Sequence, residues 1–272
     1  MDPHHHPGIS LDSLFLVASF VFGAVIGSFL NVVIYRLPDR SRSIVFPPSH
    51  CPHCSAPIRW YDNIPMLSYL LLRGRCRSCG EPISPRYPLV ELCMALLSAA
   101  LYARFGAGIT FACYFPFLAA LLTIIFIDID HQIIPDVISL PGILLGFALS
   151  FVNPQVSWQQ SALGILLGGG VLYGIAAGYM LLTRREGMGG GDIKLLAMIG
   201  GFLGWQSLLY VIFASSLAGS VVGIGAMRIQ GKGGRTRIPF GPFLALAAMS
   251  YLFFREDIMA LWQAYLATAG KG

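Results

Sequence analysis

The sequence predicts an all-α polytopic membrane protein of about eight transmembrane helices, with a small four-cysteine, zinc-stapled domain between the first two. Three observations carry that expectation. Apolar residues make up 56% of the 272-residue chain and charged residues only 11%, against roughly a quarter charged in a soluble domain. With mean hydropathy at +0.69, a soluble α/β enzyme of this length is excluded, because it needs a far more polar surface. Apolar runs of spanning length recur along the chain, and the basic residues fall between them. A net charge of +5 would suit nucleic acid. Here the placement of the basic residues in loops makes it a matter of topology, and no nucleic-acid partner is expected.

Residues 1–10 read as an N-terminal tail, without the basic start and cleavage site of a removed signal peptide. Its His4, His5 and His6 belong to that tail and form no metal site. Residues 11–35 form the first transmembrane helix, long enough to cross roughly 30 Å of hydrocarbon. Gly23, Gly27 and Ser28 give it a small-residue face for close packing. Asn31 lies near its end, and Arg36 and Pro38 stop it.

Residues 36–88 change character, with nine Pro, eight Arg and four Cys, and read as a small extramembrane domain. Residues 89–254 form the transmembrane core, and 255–272 an amphipathic C-terminal tail. Within the core, spans are expected at Leu89–Phe105, Ile109–Ile127, Pro135–Val152 and Ser161–Leu182, the last two divided by Asn153-Pro154. A glycine-rich hinge from Arg184 to Lys194 follows. Then come Ile193–Leu203 and Leu208–Met227, split near Gly204-Trp205, a basic loop from Arg228 to Arg237, and Phe240–Phe254.

The charges test this layout. Of the 18 Lys and Arg, all but Arg104, Arg255 and Lys271 lie in the loops 36–88, 128–135, 183–194 and 228–237, which eight spans put on one side. By the positive-inside rule that side is cytoplasmic and both termini are periplasmic.

Cys51-Pro-His-Cys54 and Cys76-Arg-Ser-Cys79 are two C-x-x-C pairs separated by 21 residues, each closed by a turn at Ser55 or Gly80. Two such knuckles are what a tetrahedral four-thiolate zinc site requires. A pair of disulfides is the competing reading, and a reducing compartment disfavours it. His50 and His53 are spare nitrogen ligands that four thiolates do not need. A closed site leaves no position for a reacting water, so the zinc is expected to be structural, stapling a loop too small for its own core. Cys93 and Cys113 lie within spans and read as small apolar residues.

Chemistry concentrates in Phe126-Ile-Asp-Ile-Asp-His-Gln-Ile-Ile-Pro-Asp136, where Asp128, Asp130, His131 and Asp136 meet the end of an apolar run. Ionisable groups beside hydrocarbon are costly, so such a cluster is a functional-site candidate. A further acid, Asp192, closes Gly189-Gly-Gly-Asp192 at the start of a later span, on the same expected side. Glycines there let a backbone approach a helix or a bound peptide closely. Two carboxylates facing each other across a water make a hydrolytic dyad. One takes the proton of the attacking water while the other, protonated, polarises the scissile carbonyl. Lys194 stands ready to moderate the charge or steer an anionic group, unless it merely snorkels. From the residues alone Asp128, Asp130 and Asp136 stay in contention. Asp128 continues a helix, whereas Pro135 restarts the chain before Asp136, which leans toward Asp128.

In these motifs the chain resembles the type IV prepilin peptidases. Gly189-Gly-Gly-Asp192 fits their G-x-G-D motif and Asp128-Ile-Asp-His-Gln-Ile-Ile-Pro-Asp136 its partner. The likeness extends to Gly27-Ser-Phe-Leu-Asn-Val-Val-Ile-Tyr-Arg-Leu-Pro38, both cysteine pairs, and Ser84-Pro-Arg-Tyr-Pro-Leu-Val-Glu91. The resemblance implies an eight-span aspartic endopeptidase of the bacterial inner membrane, with residues 89–254 as the protease core and the zinc domain on the cytoplasmic side. Its substrates would be type IV prepilins or the pilin-like subunits of type II secretion. It would cut after the glycine ending a short basic leader, then methylate the new N-terminus with S-adenosylmethionine. Carried over, the catalytic pair falls on Asp128 and Asp192. Asp130, Asp136, Gly189, Gly191 and Lys194 are supporting candidates.

No G-x-G-x-x-G strand-turn-helix marks a site for S-adenosylmethionine. Glu91 is the candidate for contacting a cationic methyl donor or an amine, against the alternative of a helix-start acid favoured by the dipole. Asn31 is similarly ambiguous. The rival function is a proton- or cation-coupled transporter, since intramembrane acids also mark ion pathways. Such a protein should carry internal repeats, and the two acid motifs do not resemble each other. A binding module on a membrane anchor would leave both acid motifs unexplained.

Overall fold

A computed structural model describes residues 11–39, 43–184, 189–230 and 239–269, and every regular element in them is helical. The tail with His4, His5 and His6 lies outside the described residues, as does most of the basic loop before Arg237. The chain divides into two compact units, Met1–Phe115 and Pro116–Gly272.

In the first unit, α1 (Leu11–Arg36) packs along α3 (Arg86–Phe105). The small-residue face expected of α1 makes this contact. A Cβ on Gly23 would lie 2.6 Å from the Met94 carbonyl oxygen, and one on Gly27 would lie 2.7 Å from the Glu91 Cα. The Ser98 hydroxyl donates to the Ser19 carbonyl at 2.7 Å across the same seam. Between the two helices come a 3₁₀ turn (Trp60–Asn63), the one-turn α2 (Leu67–Leu71) and the cysteine knuckles. Arg77 holds Asp62 through Nε and Nη2 at 2.6 to 3.1 Å, tying the 3₁₀ turn to the second knuckle. That guanidinium keeps the Asp62 carboxyl below its usual range.

The helix α4 (Ile109–His131) runs into the second unit at Pro116. There follow α5 (Asp136–Leu149), then α6 (Trp158–Ile165), a π-helical turn (Leu166–Val171) and α7 (Leu172–Thr183) as one rod. Next are α8 (Gly190–Leu203), α9 (Gln206–Gln230) and α10 (Gly241–Ala269). The expected breaks have local causes. Asn153 Oδ1 accepts the Gln155 N–H at 3.0 Å, making the turn before α6, and Ser157 with Gln160 forms a capping box. Gly204 (φ 81°) ends α8 in a conformation that side chains resist. Phe254 (φ −117°, ψ 22°) interrupts α10 where the last span was expected to end.

The core of this unit is α8, buried at Ile193 and at every residue from Leu195 to Leu203. It packs on α5, α6, the π turn and α10. Its approach to α6 is backbone on backbone: a Cβ on Gly200 would stand 2.3 Å from the Gly164 carbonyl oxygen. Phe117 of α4 stacks on Phe202 with centroids 4.5 Å apart. Among the described residues, five helical stretches are long and apolar enough to cross a membrane: Leu11–Arg36, Arg86–Phe105, Ile109–His131, Trp158–Thr183 and Gln206–Arg228. On α9, Leu209, Phe213, Leu217 and Val221 recur every fourth residue and each is more than half exposed. Such an apolar stripe suits a lipid environment. At 14 residues, α5 and α8 are each about 21 Å long, so neither reaches across the hydrocarbon by itself.

Candidate active site

The second unit gathers the acid motifs. Asp128 lies one turn from the end of α4, on the same stripe as Leu121 and Ile124, and is 5% exposed. Asp130 and His131 fall on the exposed side of that helix. The last turn closes when the Gln132 N–H bonds the Asp128 carbonyl at 2.9 Å, with Gln132 at φ 54°. Extended Pro135 then launches α5 at Asp136. The geometry therefore separates three acids among which the sequence alone only leaned toward Asp128: one is buried and two are exposed.

Gly189 is the N-cap of α8, and Asp192 sits in that helix's first turn, its N–H bonding the Gly189 carbonyl at 3.1 Å. The helix dipole favours an acid there. Asp128 and Asp192 stand within electrostatic reach of each other although 64 positions apart in the chain.

The three glycines before Asp192 are not equivalent. A Cβ on Gly191 would lie 2.9 Å from the Ile134 Cβ, and one on Gly189 would make ordinary contact, 3.4 Å, with Asp192 Oδ2. Around Gly190 nothing lies within 4 Å. Only Gly191 is required for space. Lys194 reaches back to α5, its Nζ 2.6 Å from Asp136 Oδ1, so the two supporting candidates pair with each other. Both are partly exposed, at 37% and 56%.

One participant escaped the sequence reading. Gly241, the first residue of α10, donates its N–H to Asp128 Oδ2 at 3.0 Å in a buried setting. A Cβ there would lie 2.6 Å from that oxygen and 3.2 Å from the Ile134 Cδ1. The available signal was the Pro239-Phe-Gly-Pro242 punctuation at the head of the last apolar run. It read as a span boundary, not as a donor to an acid 113 residues earlier.

In the first unit, the four cysteine sulfurs Cys51, Cys54, Cys76 and Cys79 lie within 4.8 Å of one another, and all four thiols are free. The two knuckles repeat one geometry. The Cys51 N–H bonds the Ala56 carbonyl and the Ser55 N–H bonds the Cys51 carbonyl; Cys76, Glu81 and Gly80 do the same. The Cys51 and Cys79 sulfurs are 3.8 Å apart, the edge of a tetrahedron whose metal–sulfur bonds are about 2.3 Å. Backbone N–H groups of Cys79 and Ser78 draw the Cys76 thiol down to about 6. The Glu81 N–H acts the same way on Cys79, but burial and the neighbouring thiols push that group up to about 12. Four thiolates so close repel one another, and a divalent cation removes the conflict. The donor set fits zinc.

Glu91 of α3 is 8% exposed, accepts the Met66 N–H at 2.7 Å and is hydrogen-bonded to Ser28. It is not in its helix's first turn. Asn31 donates from Nδ2 to the Tyr87 carbonyl at 3.0 Å. Both line a cavity of about 920 Å³ within this unit.

A helical protein with several membrane-length apolar stretches, a buried and a half-buried acid within electrostatic reach, and a four-cysteine cluster belongs to a narrow class of membrane enzymes. Residues 21–105 match the bacterial peptidase A24 N-terminal domain and residues 115–224 match the type IV leader peptidase family. The chain is an enzyme of the type IV leader peptidase family. A prepilin leader peptidase/N-methyltransferase of Aeromonas hydrophila is 39% identical over 268 residues, covering 90% of this chain and 92% of its own. The protein of that name in Pseudomonas aeruginosa is 37% identical over 94% of this chain and 95% of its own. A third, in Legionella pneumophila, is 36% identical over 90% and 93%. No solved structure matches the chain.

Proposed function

We propose that this protein is an aspartic endopeptidase that removes the leader of type IV prepilins or of pilin-like type II secretion subunits. The observation that supports the reading is that Asp128 and Asp192, from distant segments, stand within electrostatic reach of each other. One carboxylate takes a proton from water as the oxygen attacks the scissile carbonyl, while the other, protonated, donates to the carbonyl oxygen. The tetrahedral intermediate then collapses as the amide nitrogen is protonated and leaves. Gly241 holds Asp128 through its N–H, and Lys194 with Asp136 ties α8 to α5. Cleavage would come after the leader's last glycine, as in the family the chain resembles, and the basic loops support a site on the cytoplasmic face of the bacterial inner membrane.

The names of the relatives support a second activity, N-methylation of the new terminus. S-adenosylmethionine would supply the methyl group. Zinc on Cys51, Cys54, Cys76 and Cys79 would be structural, since four thiolates leave no open position.

The test is to incubate detergent-purified protein with a prepilin and weigh the products. The wild type should yield a mature chain one methyl heavier than the cleaved peptide, and Asp128→Asn and Asp192→Asn should yield no cleavage. Full cleavage by either variant would sink the dyad.

A further inference from the structure

The cavity of the first unit, lined in part by Ser28, Asn31, Tyr35, Tyr69, Tyr87 and Glu91, has no part in the two-acid site. Its volume of about 920 Å³ is at the upper end of the range for small-molecule sites, roughly 300–1,000 Å³. Four of its polar side chains are at least nine-tenths buried: Asn31 and Ser68 at 6% exposed, Arg36 and Glu91 at 8%.

Their bonding differs. Arg36 is occupied by the carbonyls of Ser43, Ile44 and Pro47 at 2.8 to 3.5 Å. Asp62, also on the cavity wall, is held by Arg77. Glu91 has only a backbone N–H and a hydroxyl, and among the described residues no cation pairs with it. A carboxylate so enclosed, and outside the helix's first turn, is expensive to maintain unless a cation arrives. Tyrosine rings stand around the same space, and aromatic faces attract cations, onium groups above all.

We propose that this cavity binds the methyl donor, with Glu91 as the carboxylate that faces its sulfonium and receives a proton from the incoming terminal ammonium of the pilin. The assignment rests on the methyl-transfer reading given above. Loss of that proton to Glu91 leaves a neutral amine. Its lone pair forms the new C–N bond as the methyl C–S bond breaks, and the bonding pair stays on sulfur, which departs as a neutral thioether. The methylated nitrogen carries the positive charge as a secondary ammonium, and Glu91 passes its proton to water.

Equilibrium dialysis of the full-length protein in detergent, with radiolabelled S-adenosylmethionine and S-adenosylhomocysteine, reads this without turnover. The two ligands differ in the sulfonium. Glu91→Gln should weaken S-adenosylmethionine about tenfold or more and the neutral thioether far less. Equal losses for both ligands, or none for either, overturn the role of Glu91. Loss of prepilin binding with donor affinity intact makes the cavity a leader site and also refutes the proposal. Should the variant not fold, ultraviolet crosslinking of labelled donor to the wild type decides: label within residues 28–91 supports the site, and label within 116–269 overturns it. A wild type that binds neither ligand removes the methyl-transfer reading itself, which is distinguishable from binding mapped elsewhere.

Discussion

Gly241→Ala is the sharpest perturbation of the two-acid site, because it adds one methyl group and leaves the N–H in place. The added carbon would stand 2.6 Å from Asp128 Oδ2, where ordinary contact begins near 3.4 Å. The carboxylate must therefore retreat by about 0.8 Å, since Ile134 Cδ1, at 3.2 Å, crowds the same carbon. A displacement near 1 Å costs roughly a hundredfold in rate, about 2.7 kcal/mol of barrier. The hydrogen bond lost with it, from a backbone N–H at 3.0 Å to an acid, is worth about 1.5–3 kcal/mol when the acceptor is charged, so the two routes agree. The assay is the initial rate of prepilin cleavage by purified protein that still elutes as folded material. We expect kcat to fall about a hundredfold with KM little changed. Gly190→Ala supplies the contrast, because nothing lies within 4 Å of the methyl it would add, and it should cleave like the wild type. Near-wild-type turnover by Gly241→Ala, or equal damage from Gly190→Ala, would refute the steric argument.

Purified protein should carry about one zinc per chain by elemental analysis. Cys51→Ser or Cys79→Ser should lower that and depress thermal stability, and metal-free protein of full stability would refute the staple. Asp128→Asn should still methylate a pre-cleaved pilin, read by mass spectrometry, because Glu91 and its cavity lie in the other unit; loss of both activities would mean one shared site. Lys194→Ala breaks a half-exposed ion pair worth at most about 1 kcal/mol, so cleavage should fall by no more than about fivefold, and a thousandfold loss would make Lys194 catalytic. Gly200→Val drives a branched side chain into the Gly164 carbonyl, 2.3 Å from its first carbon. It should abolish folded yield on gel filtration, and normal yield would contradict the backbone contact.

Hydropathy and motif spacing made much of this legible. The ends of the helices, the knuckles closed by Ser55 and Gly80, and the small-residue face of α1 follow from local chemistry: a capping serine, a left-handed turn, a missing Cβ. The structure adds what depends on three-dimensional neighbours. Asp128, Asp130 and Asp136 look alike in a string of residues, and only the azimuth of α4 and the restart at Pro135 bury one and expose two. Gly241 was invisible because its partner is remote and a backbone N–H leaves no trace in residue identity. The count of eight spans belongs to the same category. Apolarity marks every segment, yet α5 and α8 are half the length of α1, and a short buried helix and a crossing helix share one composition.

That shortness bears on the chemistry. A helix of about 21 Å cannot have both ends at surfaces roughly 30 Å apart. If the Gly204-Trp205 end of α8 reaches one face, the Asp192 end stops about 9 Å short of the other. An acid at that depth could not hydrolyse anything in dry hydrocarbon, because it would lack both solvation and the attacking water. The residues leading to it answer this requirement. Gly189 and Gly190 are exposed and carry no side chain, and Asp192 is only partly covered while Asp128 is buried. The motif's first two glycines thus add little bulk beside Asp192, and its third admits Ile134 at a distance no Cβ would tolerate. Bulky residues at 189 and 190 should therefore slow cleavage through access, raising KM for water-soluble peptide substrates before touching kcat, and the opposite split would refute a role for the two glycines in access.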